Sequence, residues 1–140
     1  MSIGALCQDN FVTITEDCAI QEAAKIMAEK NTGCLLVLKN AQPVSVITDR
    51  DITTKIVSKK MALEGVTVKE AMSADLLVLP SDMGIKKAIE AMREKGVRRA
   101  PVIENERVCG MIKVDDLLIM IAAELNSLAD LVQHQLSGHQ

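Results

Sequence analysis

The chain has 140 residues, a formal net charge of −3 and 49% hydrophobic residues, enough for one compact domain or two small, tightly joined halves. A single Phe, no Trp or Tyr and no long basic run speak against nucleic-acid binding, both by base stacking and by phosphate contacts. The four cysteines are widely spaced, which speaks against a zinc site. The sequence has neither a signal-peptide pattern nor an apolar run long enough to span a bilayer. We therefore expect a cytoplasmic protein with free, mostly buried thiols.

The first half of the chain predicts the element order β-α-β-β-α. Apolar residues at helical spacing indicate its helices, and short β-prone or wholly apolar runs indicate its strands. In chain order the elements are a strand at Phe11–Ile14, a helix capped by Asp17 and ended by Asn31-Thr32-Gly33, strands at Cys34–Leu38 and Pro43–Ile47, and a helix from Asp49 to about Ser58. Because the run Cys34–Leu38 is apolar throughout, we expect it to be buried on both faces of its sheet.

The second half repeats this order 65 residues further along. Ten of the 36 positions from 17 to 52 are identical to the residue at that offset, where about two are expected by chance. The repeated elements are a strand at Leu76–Leu79, a helix over 83–95 with Gly96 as its C-cap, strands at Ala100–Ile103 and Val108–Ile112, and a helix from Val114. This tandem duplication predicts a first repeat over 3–60, a linker over 61–75, a second repeat over 76–125 and a C-terminal extension over 126–140.

Two further helical segments frame the repeats. Thr67-Val68-Lys69-Glu70 has the pattern of a capping box and opens a short helix, whose counterpart at the chain start is Ile3–Cys7. The last helix keeps apolar residues at helical spacing well beyond the repeat. We expect this overhang to contact a second subunit, the alternative being a helix folded along its own domain. Residues 137–140 are expected to fray.

The stretch Val46–Ile52 marks the point where a buried strand turns directly into a helix. Thr48 can cap that helix by accepting a backbone N–H of its first turn, in which Asp49 and Asp51 suit the positive end of the helix dipole. The start of such a helix also offers N–H groups that can hold a sugar–phosphate ligand. This stretch alone fits both a plain capped helix and a ligand site.

The sequence as a whole resembles a tandem pair of cystathionine β-synthase (CBS) domains, from about Ile3 to Leu118. The resemblance rests on Val46–Ile52 in the first half and on several short motifs, most of them in the second half. These motifs are Val68-x-x-x-Met72, Leu79-Pro80-Ser81-Asp82, Ala88-x-x-x-Met92, Gly96-Val97-Arg98-Arg99-Ala100-Pro101-Val102 and Gly110-Met111-Ile112-x-x-x-Asp116. Each motif is unspecific by itself, but together, in two halves at a fixed spacing, they are typical of the family.

The resemblance implies an α+β fold in which two β-α-β-β-α repeats pack sheet to sheet as one module with a pseudo-twofold axis. It implies clefts between the repeats that bind an adenosine-containing ligand, with AMP, ADP or ATP ahead of S-adenosylmethionine or NAD, and no metal. It also implies a regulatory protein rather than an enzyme. Such a protein forms a homodimer and modulates a separate, unidentified effector protein.

The family's ligand-binding positions fall on residues of suitable chemistry. Asp51 and Asp116 stand where a carboxylate accepts hydrogen bonds from both ribose hydroxyls, each worth about 1.5–3 kcal/mol. Thr48 can bond the ribose or the first phosphate, helped by free N–H groups at the helix start. The base is expected against strand residues near Leu79-Pro80 and near Thr13–Thr15, which makes Thr15 a candidate.

Two basic residues and two departures from the family pattern also bear on ligand binding. Arg98 and Arg99 occupy positions where relatives with phosphorylated ligands place basic groups, the alternative being a solvated loop. Ser45 replaces the family's usual glycine, which Gly110 keeps, and either narrows the approach to the first cleft or points to solvent. Lys113 replaces the Ser or Thr of the second signature. Because Lys cannot accept a hydrogen bond, it either contacts phosphate or blocks the second cleft.

These differences favour the cleft of Thr48 and Asp51 as the one that works. An alternative is a structural or dimerisation module with empty clefts, favoured by Ser45 and Lys113 and opposed by Thr48, Asp51 and the two arginines. A small enzyme is disfavoured, because neither repeat contains a histidine and no nucleophile–base pair is evident.

Overall fold

A computed structural model describes residues 2–60, 62–73 and 75–138, except for the side chains of residues 137 and 138. These described residues form ten elements, with short 3₁₀ turns at Ile3–Ala5 and Val68–Glu70. The elements are β1 (Thr13–Thr15), α1 (Ile20–Lys30), β2 (Cys34–Lys39), β3 (Gln42–Thr48), α2 (Asp49–Asp51, continued as a π-helical segment Ile52–Val57), β4 (Leu79–Pro80), α3 (Ile85–Lys95), β5 (Arg99–Glu104), β6 (Arg107–Lys113) and α4 (Val114–Gly138).

The two halves form sheets of the same topology and register. One sheet has the order β1-β2-β3 and the other β4-β5-β6, each with a parallel first pair and an antiparallel second pair. A register shift falls after Val37 in β2 and after Val102 in β5, at equivalent positions of the repeat. The hairpin residues Asn40 and Asn105 share the same positive φ of 52°. The predicted α+β fold with two β-α-β-β-α repeats is therefore confirmed.

The repeats are interlocked by their leading 3₁₀ turns. Ile3 is fully buried in the core of the second half, and Val68 is fully buried in the core of the first. The backbone hydrogen bonds follow the pseudo-twofold axis: the Ile3 N–H donates to the Met83 carbonyl at 2.9 Å, and the Val68 N–H donates to the Cys18 carbonyl at 2.8 Å. Each core is thus completed by a segment that leads into the other sheet, which makes the halves mutually dependent.

The cores lie between each sheet and its helices. Leu35, Leu36 and Val37 are consecutive and all buried, which confirms that β2 is covered on both faces. Strand β3 contacts β6, so the two sheets meet through their third strands. This contact places the end of β3 beside the end of β6, where each strand turns into a helix.

Several predicted boundaries were wrong by a few residues. Asp17 does not cap α1: the N-cap is Ala19, which makes no side-chain capping bond. The reason is tertiary, because the Cys18 carbonyl and the Ile20 N–H pair with the backbone of residues 66–68, so the helix begins after this junction. Strands β1 and β4 also begin later than the predicted Phe11–Ile14 and Leu76–Leu79, since they are defined by parallel pairing to β2 and β5.

Helix α4 continues as predicted far past the second repeat. Its residues from 121 to 136 are all exposed. Its backbone is helical to Gly138, so the expected fraying from residue 137 is not seen there, and residues 139–140 lie outside the described part of the chain. Among the described residues, no helix combines the length and the apolarity that crossing a membrane requires.

The cysteines are free, as predicted, but they are less buried than expected. Cys7, Cys18, Cys34 and Cys109 are all partly exposed. Burial, followed by the neighbouring Cys109, raises the pKa of the Cys7 thiol above its ordinary value. Cys18 packs at the edge of the first core, and Cys7 and Cys109 pack at the edge of the second.

The predicted capping box at Thr67 and Glu70 is confirmed and carries a pH effect. The Thr67 hydroxyl at 2.6 Å and the Thr67 backbone N–H at 2.8 Å both donate to the Glu70 carboxylate, and these bonds lower its pKa. The stabilisation is present above the ordinary glutamate pKa and is lost as the pH falls through the lowered one. We expect Thr67→Val to raise the Glu70 pKa, measured by NMR titration of its side-chain carbon. An unchanged pKa would contradict the hydroxyl as the main cause.

Candidate functional site

The junction between β3 and α2 is a complete capping box. The Asp51 N–H donates to the Thr48 hydroxyl at 3.1 Å, and the Thr48 N–H donates to Asp51 Oδ2 at 2.9 Å. Lys55 Nζ lies 3.2 Å from Asp51 Oδ1 and also donates to the Ala71 carbonyl at 3.0 Å. The capped-helix interpretation of Val46–Ile52 therefore describes the geometry, and Lys55 ties the junction to the linker between the repeats.

Backbone donors at the start of α2 are not free, contrary to the expectation from sequence. The Asp49 N–H donates to the Gly33 carbonyl at 2.9 Å, and the Arg50 N–H donates to Asp49 Oδ1 at 2.8 Å. With the Asp51 N–H held by Thr48, the first three N–H groups all have protein partners. An anion bound here must therefore be held by side-chain cations rather than by the helix start.

Asp51 and Thr48 can nevertheless form further hydrogen bonds at this junction. A carboxylate offers about four lone-pair sites, of which Asp51 uses one per oxygen. The side chain of Asp51 is 16% exposed. The Thr48 hydroxyl accepts one hydrogen bond and keeps its own proton for donation. Both groups can still bind a polyhydroxylated ligand.

A polar cleft of about 550 Å³ lies where the two strand-to-helix junctions meet. Residues 48–50 from the first repeat face residues 113 and 115, their counterparts 65 positions later. The lining residues are Asn31, Thr32, Gly33, Thr48, Asp49, Arg50, Arg99, Lys113 and Asp115. The cleft thus lies on the pseudo-twofold axis and belongs to both repeats.

Three cations converge on this cleft. Arg99 and Lys113 are direct cross-strand partners at the end of the second sheet, and Arg50 approaches from the first repeat. Like charges directly opposite each other on neighbouring strands are destabilising. The acidic lining residues, Asp49 and Asp115, leave one positive charge in excess. This arrangement suits an anionic ligand.

A small notch of about 30 Å³ adjoins the cleft and shares Thr32 and Lys113 with it. Its other lining residues are Asn10, Phe11, Val12, Cys34, Leu36 and Met111. The notch combines the one aromatic ring of the chain with aliphatic side chains from both repeats. It offers an apolar surface directly beside the cations.

The loop over residues 31–33 lies against the start of α2. The Gly33 carbonyl accepts the Asp49 N–H at 2.9 Å. A Cβ atom on Gly33 would lie 2.9 Å from Asp49 Oδ2, but this oxygen ends an exposed side chain that can rotate away. Asn31, two residues earlier, ends α1 in the left-handed conformation, with φ 52°. The backbone hydrogen bond therefore holds the loop beside α2.

The fold brings only some of the predicted site residues together in the cleft. Thr48, Arg99 and Lys113 line the polar cleft. Asp51 lies behind Thr48, bound to its backbone. Arg98 pairs with Asp115 at 2.6 Å, in an exposed ion pair of small energetic weight. Neither Thr15, at the exposed end of β1, nor the partly exposed Asp116 belongs to the cleft lining.

Arg50, Asp49 and the loop 31–33 were missed as cleft residues. Arg50 lies inside the signature stretch itself, so its position between the two acidic residues was the available signal. The loop had no comparable signal, because its place beside α2 depends on the β2–β3 pairing.

The two departures from the family pattern have different outcomes. Ser45 neither narrows the cleft nor points to solvent: it is fully buried, and its hydroxyl donates to the Ser73 carbonyl. Lys113 lies in a cleft that Thr48 also lines, and the ranking of the two predicted clefts stays a prediction. Among the described residues, no group of three or more His, Cys, Asp or Glu side chains is placed to hold a metal ion.

Comparison with known proteins places both halves in one family. A family model described as the CBS domain matches residues 3–58 and again residues 68–123. An uncharacterized protein of Methanocaldococcus jannaschii, MJ0450, is 26% identical over 128 residues, covering 89% of this chain and 69% of its own length. The crystal structure of a CBS domain, NE2398, has a TM-score of 0.76 at 26% identity, covering 87% of this chain and 98% of that one.

A structure with bound ligands shares the fold at lower identity. The CBS domain pair of protein MJ0100, in complex with 5′-methylthioadenosine and S-adenosyl-L-methionine, has a TM-score of 0.75 at 21% identity and covers 89% of this chain and 98% of that one. Other relatives are longer: the chain spans 61% of an uncharacterized protein of Methanopyrus kandleri and 22% of a homoserine O-acetyltransferase of Methanohalobium evestigatum.

Proposed function

Because this chain belongs to the CBS-domain family and carries two of its domains in tandem, we propose that it is a stand-alone regulatory protein that binds an adenosine-containing ligand. An adenine nucleotide (AMP, ADP or ATP) is the leading candidate, with S-adenosylmethionine or NAD as further ones. Ligand binding between the repeats modulates a separate effector protein. In this proposal the chain is not an enzyme and needs no metal.

The observation that carries the proposal is the convergence of Arg50, Arg99 and Lys113 beside the Thr48 hydroxyl. The charge-assisted hydrogen bonds that cations make to phosphate are about twice as strong as neutral ones. Phosphate between Arg99 and Lys113 would also relieve the repulsion between these cross-strand neighbours. An uncharged nucleoside would gain none of this. S-adenosylmethionine, with two cationic groups and one carboxylate, would gain less than a phosphate, so the excess of cations supports a phosphorylated ligand ahead of it.

In the proposed complex the ligand extends from the notch to the cleft. The base packs over the notch against Phe11, Val12 and Leu36, which must move apart to admit it, because the notch has room for about one water molecule. The ribose hydroxyls donate to Asp51 after local adjustment of the junction. The phosphate lies between Lys113 and Arg99. Asp116, Thr15 and Arg98 stay in the proposal as secondary candidates, since they match the family's positions without lining the cleft.

The chain is further proposed to divide into repeats over 3–60 and 76–125, a linker over 61–75 and an extension over 126–140. The protein is proposed to act in the cytoplasm as a homodimer. The bound ligands of the MJ0100 domain pair, 5′-methylthioadenosine and S-adenosyl-L-methionine, are both adenosine compounds, in line with the proposed ligand class.

A structural or dimerisation module with empty clefts is the second candidate. It is favoured by the internal hydrogen bonding of the junction, since both oxygens of Asp51 already have partners. Thermal denaturation with AMP, ADP, ATP, S-adenosylmethionine and NAD separates the two. A ligand present at 100 times its dissociation constant should stabilise the fold by about 2.7 kcal/mol. If none of the five compounds raises the melting temperature, the empty module is the better account.

Asp51 and Asp116 provide a matched pair for locating the ribose. We expect Asp51→Ala to weaken nucleotide binding more than Asp116→Ala, because Asp51 is bonded to Thr48, which lines the cleft. Isothermal titration calorimetry of both variants with the nucleotide that binds best measures the difference. If Asp116→Ala weakens binding more than Asp51→Ala, the ribose is bound by the second repeat instead.

A further inference from the structure

The outer part of α4 carries an apolar surface that the rest of the described chain leaves uncovered. We call it the α4 stripe and define it by the side chains that share this face of the helix. They are Leu118, Ile121, Leu125, Leu128, Leu131, Val132 and Leu136, which are between 45% and 79% exposed. An uncovered surface of this kind marks an interaction site in a water-exposed protein.

The spacing along the stripe is that of a helix–helix seam. Leu118, Ile121, Leu125, Leu128 and Val132 follow one another at alternating steps of three and four residues, the a and d positions of a heptad. Ala122 and Ala129 flank the seam at successive e positions. Their small side chains let a second helix approach closely on that side. The natural occupant of this seam is another helix with the same spacing.

Charges around the stripe argue for a second copy of this chain. No Lys or Arg follows Lys113 in the sequence, so the stripe lacks the basic flank with which amphipathic helices bind anionic membranes. Its charged residues within 118–136 are Glu124 and Asp130. Helix α3 instead carries four basic residues against two acidic ones, and Arg93 lines an apolar groove of about 220 Å³ between α3 and the base of α4.

This difference in charge also fixes the direction of the partner helix. In an antiparallel pair, the C-terminal end of each α4, with its negative dipole, comes to the base of the other α4, beside Arg93. A parallel pair would leave Arg93 without this contact. The antiparallel layers combine Ile121 with Val132 and Leu125 with Leu128 of the second copy. Glu124 then faces Leu131, so these layers contain no like-charge pair.

The stripe supplies much of the area that a stable dimer buries. Burying one Leu or Ile side chain removes about 60–120 Å² of apolar surface, so the seven side chains of each stripe would bury about 420–840 Å². Stable interfaces bury about 800 Å² per partner. Contact of the helix end with the groove at Ile89, Arg93 and Val97 adds to this area.

We propose that the α4 stripe of one chain packs antiparallel against the α4 stripe of a second copy, with its C-terminal end in the groove beside α3. The inference deepens the homodimer in the proposed function, because it assigns the interface. It does not depend on nucleotide binding, which the calorimetric and thermal experiments test separately.

Light scattering coupled to size-exclusion chromatography tests the interface. The wild-type protein should have twice the mass of one chain, and Leu125→Asp/Leu128→Asp should raise the dimer dissociation constant at least about 30-fold, as expected for central interface residues. Because both residues are exposed within the chain, the circular dichroism of the variant should remain that of a folded protein. Leu63→Asp, at another exposed apolar residue, is the control and should stay dimeric.

Disulfide trapping tests the direction. In a background with the four native cysteines replaced by serine, Ile121→Cys and Val132→Cys proteins are mixed and oxidised with glutathione disulfide. The antiparallel seam predicts a cross-link between the two variants and little within either, since a disulfide needs Cα atoms about 4.4–6.8 Å apart. Cross-links within each variant, or none, would overturn this direction. A monomeric wild-type protein, or an unchanged mass of the double aspartate variant, would overturn the interface itself.

Discussion

Gly110→Ser is expected to destabilise the fold by about 1–3 kcal/mol or more, because the site has no room for a side chain. A Cβ atom at Gly110 would lie 2.6 Å from Cys7 Sγ and 2.7 Å from the Gln8 carbonyl oxygen. The thiol can rotate, but the Gln8 backbone is held by two hydrogen bonds of 2.8 Å to Met111. Urea denaturation followed by circular dichroism measures the loss.

Two control variants accompany the Gly110→Ser measurement. Gly84→Ser adds the same side chain at a glycine whose Cβ would have no atom within 4 Å, and it should change stability little. Ser45→Gly, at the equivalent position of the first repeat, removes the hydroxyl bonded to the Ser73 carbonyl and should cost about 1 kcal/mol. If Gly110→Ser unfolds at the urea concentration of the wild type, the close docking of residues 7–8 on β6 is incorrect.

Lys113→Glu is expected to weaken binding of a phosphorylated adenine nucleotide by about 100-fold, while adenosine itself loses little. The substitution removes a charge-assisted bond of about 1.5–3 kcal/mol and adds repulsion, at about 1.4 kcal/mol per tenfold change. Lys113 lies in the cleft directly opposite Arg99, so no other lysine replaces it there among the described lining residues. Titration calorimetry with AMP and adenosine in parallel measures both effects.

Arg107→Glu is the matched control for this prediction. It makes the same change in net charge at an exposed residue of the β5–β6 hairpin, outside the cleft lining. It should leave both affinities close to those of the wild type. Equal losses of AMP affinity in the two variants would mean that overall charge attracts the ligand. An unchanged AMP affinity in Lys113→Glu would mean that the phosphate does not bind in the cleft.

The internal repeat made most of the fold predictable from sequence. Once Asp17–Asp51 had been aligned with residues 65 positions later, each half had the same five elements, and those elements are present. The capping boxes at Thr48 and Thr67 and the αL end of α3 at Gly96 were also predictable. Each of these features depends on residues within one or two turns of each other, so local chemistry is sufficient to define them.

The boundaries that were wrong depend on distant partners. The start of α1 is set by pairing of residues 18–20 with residues 66–68, and the start of β1 by its parallel register with β2. No local pattern at Asp17 or Phe11 contains this information. The exchange of the leading turns, with Ile3 in the second core and Val68 in the first, likewise follows from packing across the pseudo-twofold axis.

The sequence by itself determined the family, the tandem repeat and the chemical types present at the two junctions. It also determined the unusual length and apolar spacing of the last helix. Only the tertiary structure decided that Thr48 and Lys113 line one common cleft, that Arg50 joins them, and that the first N–H groups of α2 are already bonded. The physical reason is that a cleft between repeats is formed by sheet-to-sheet packing, which brings together side chains that lie 65 residues apart in the chain.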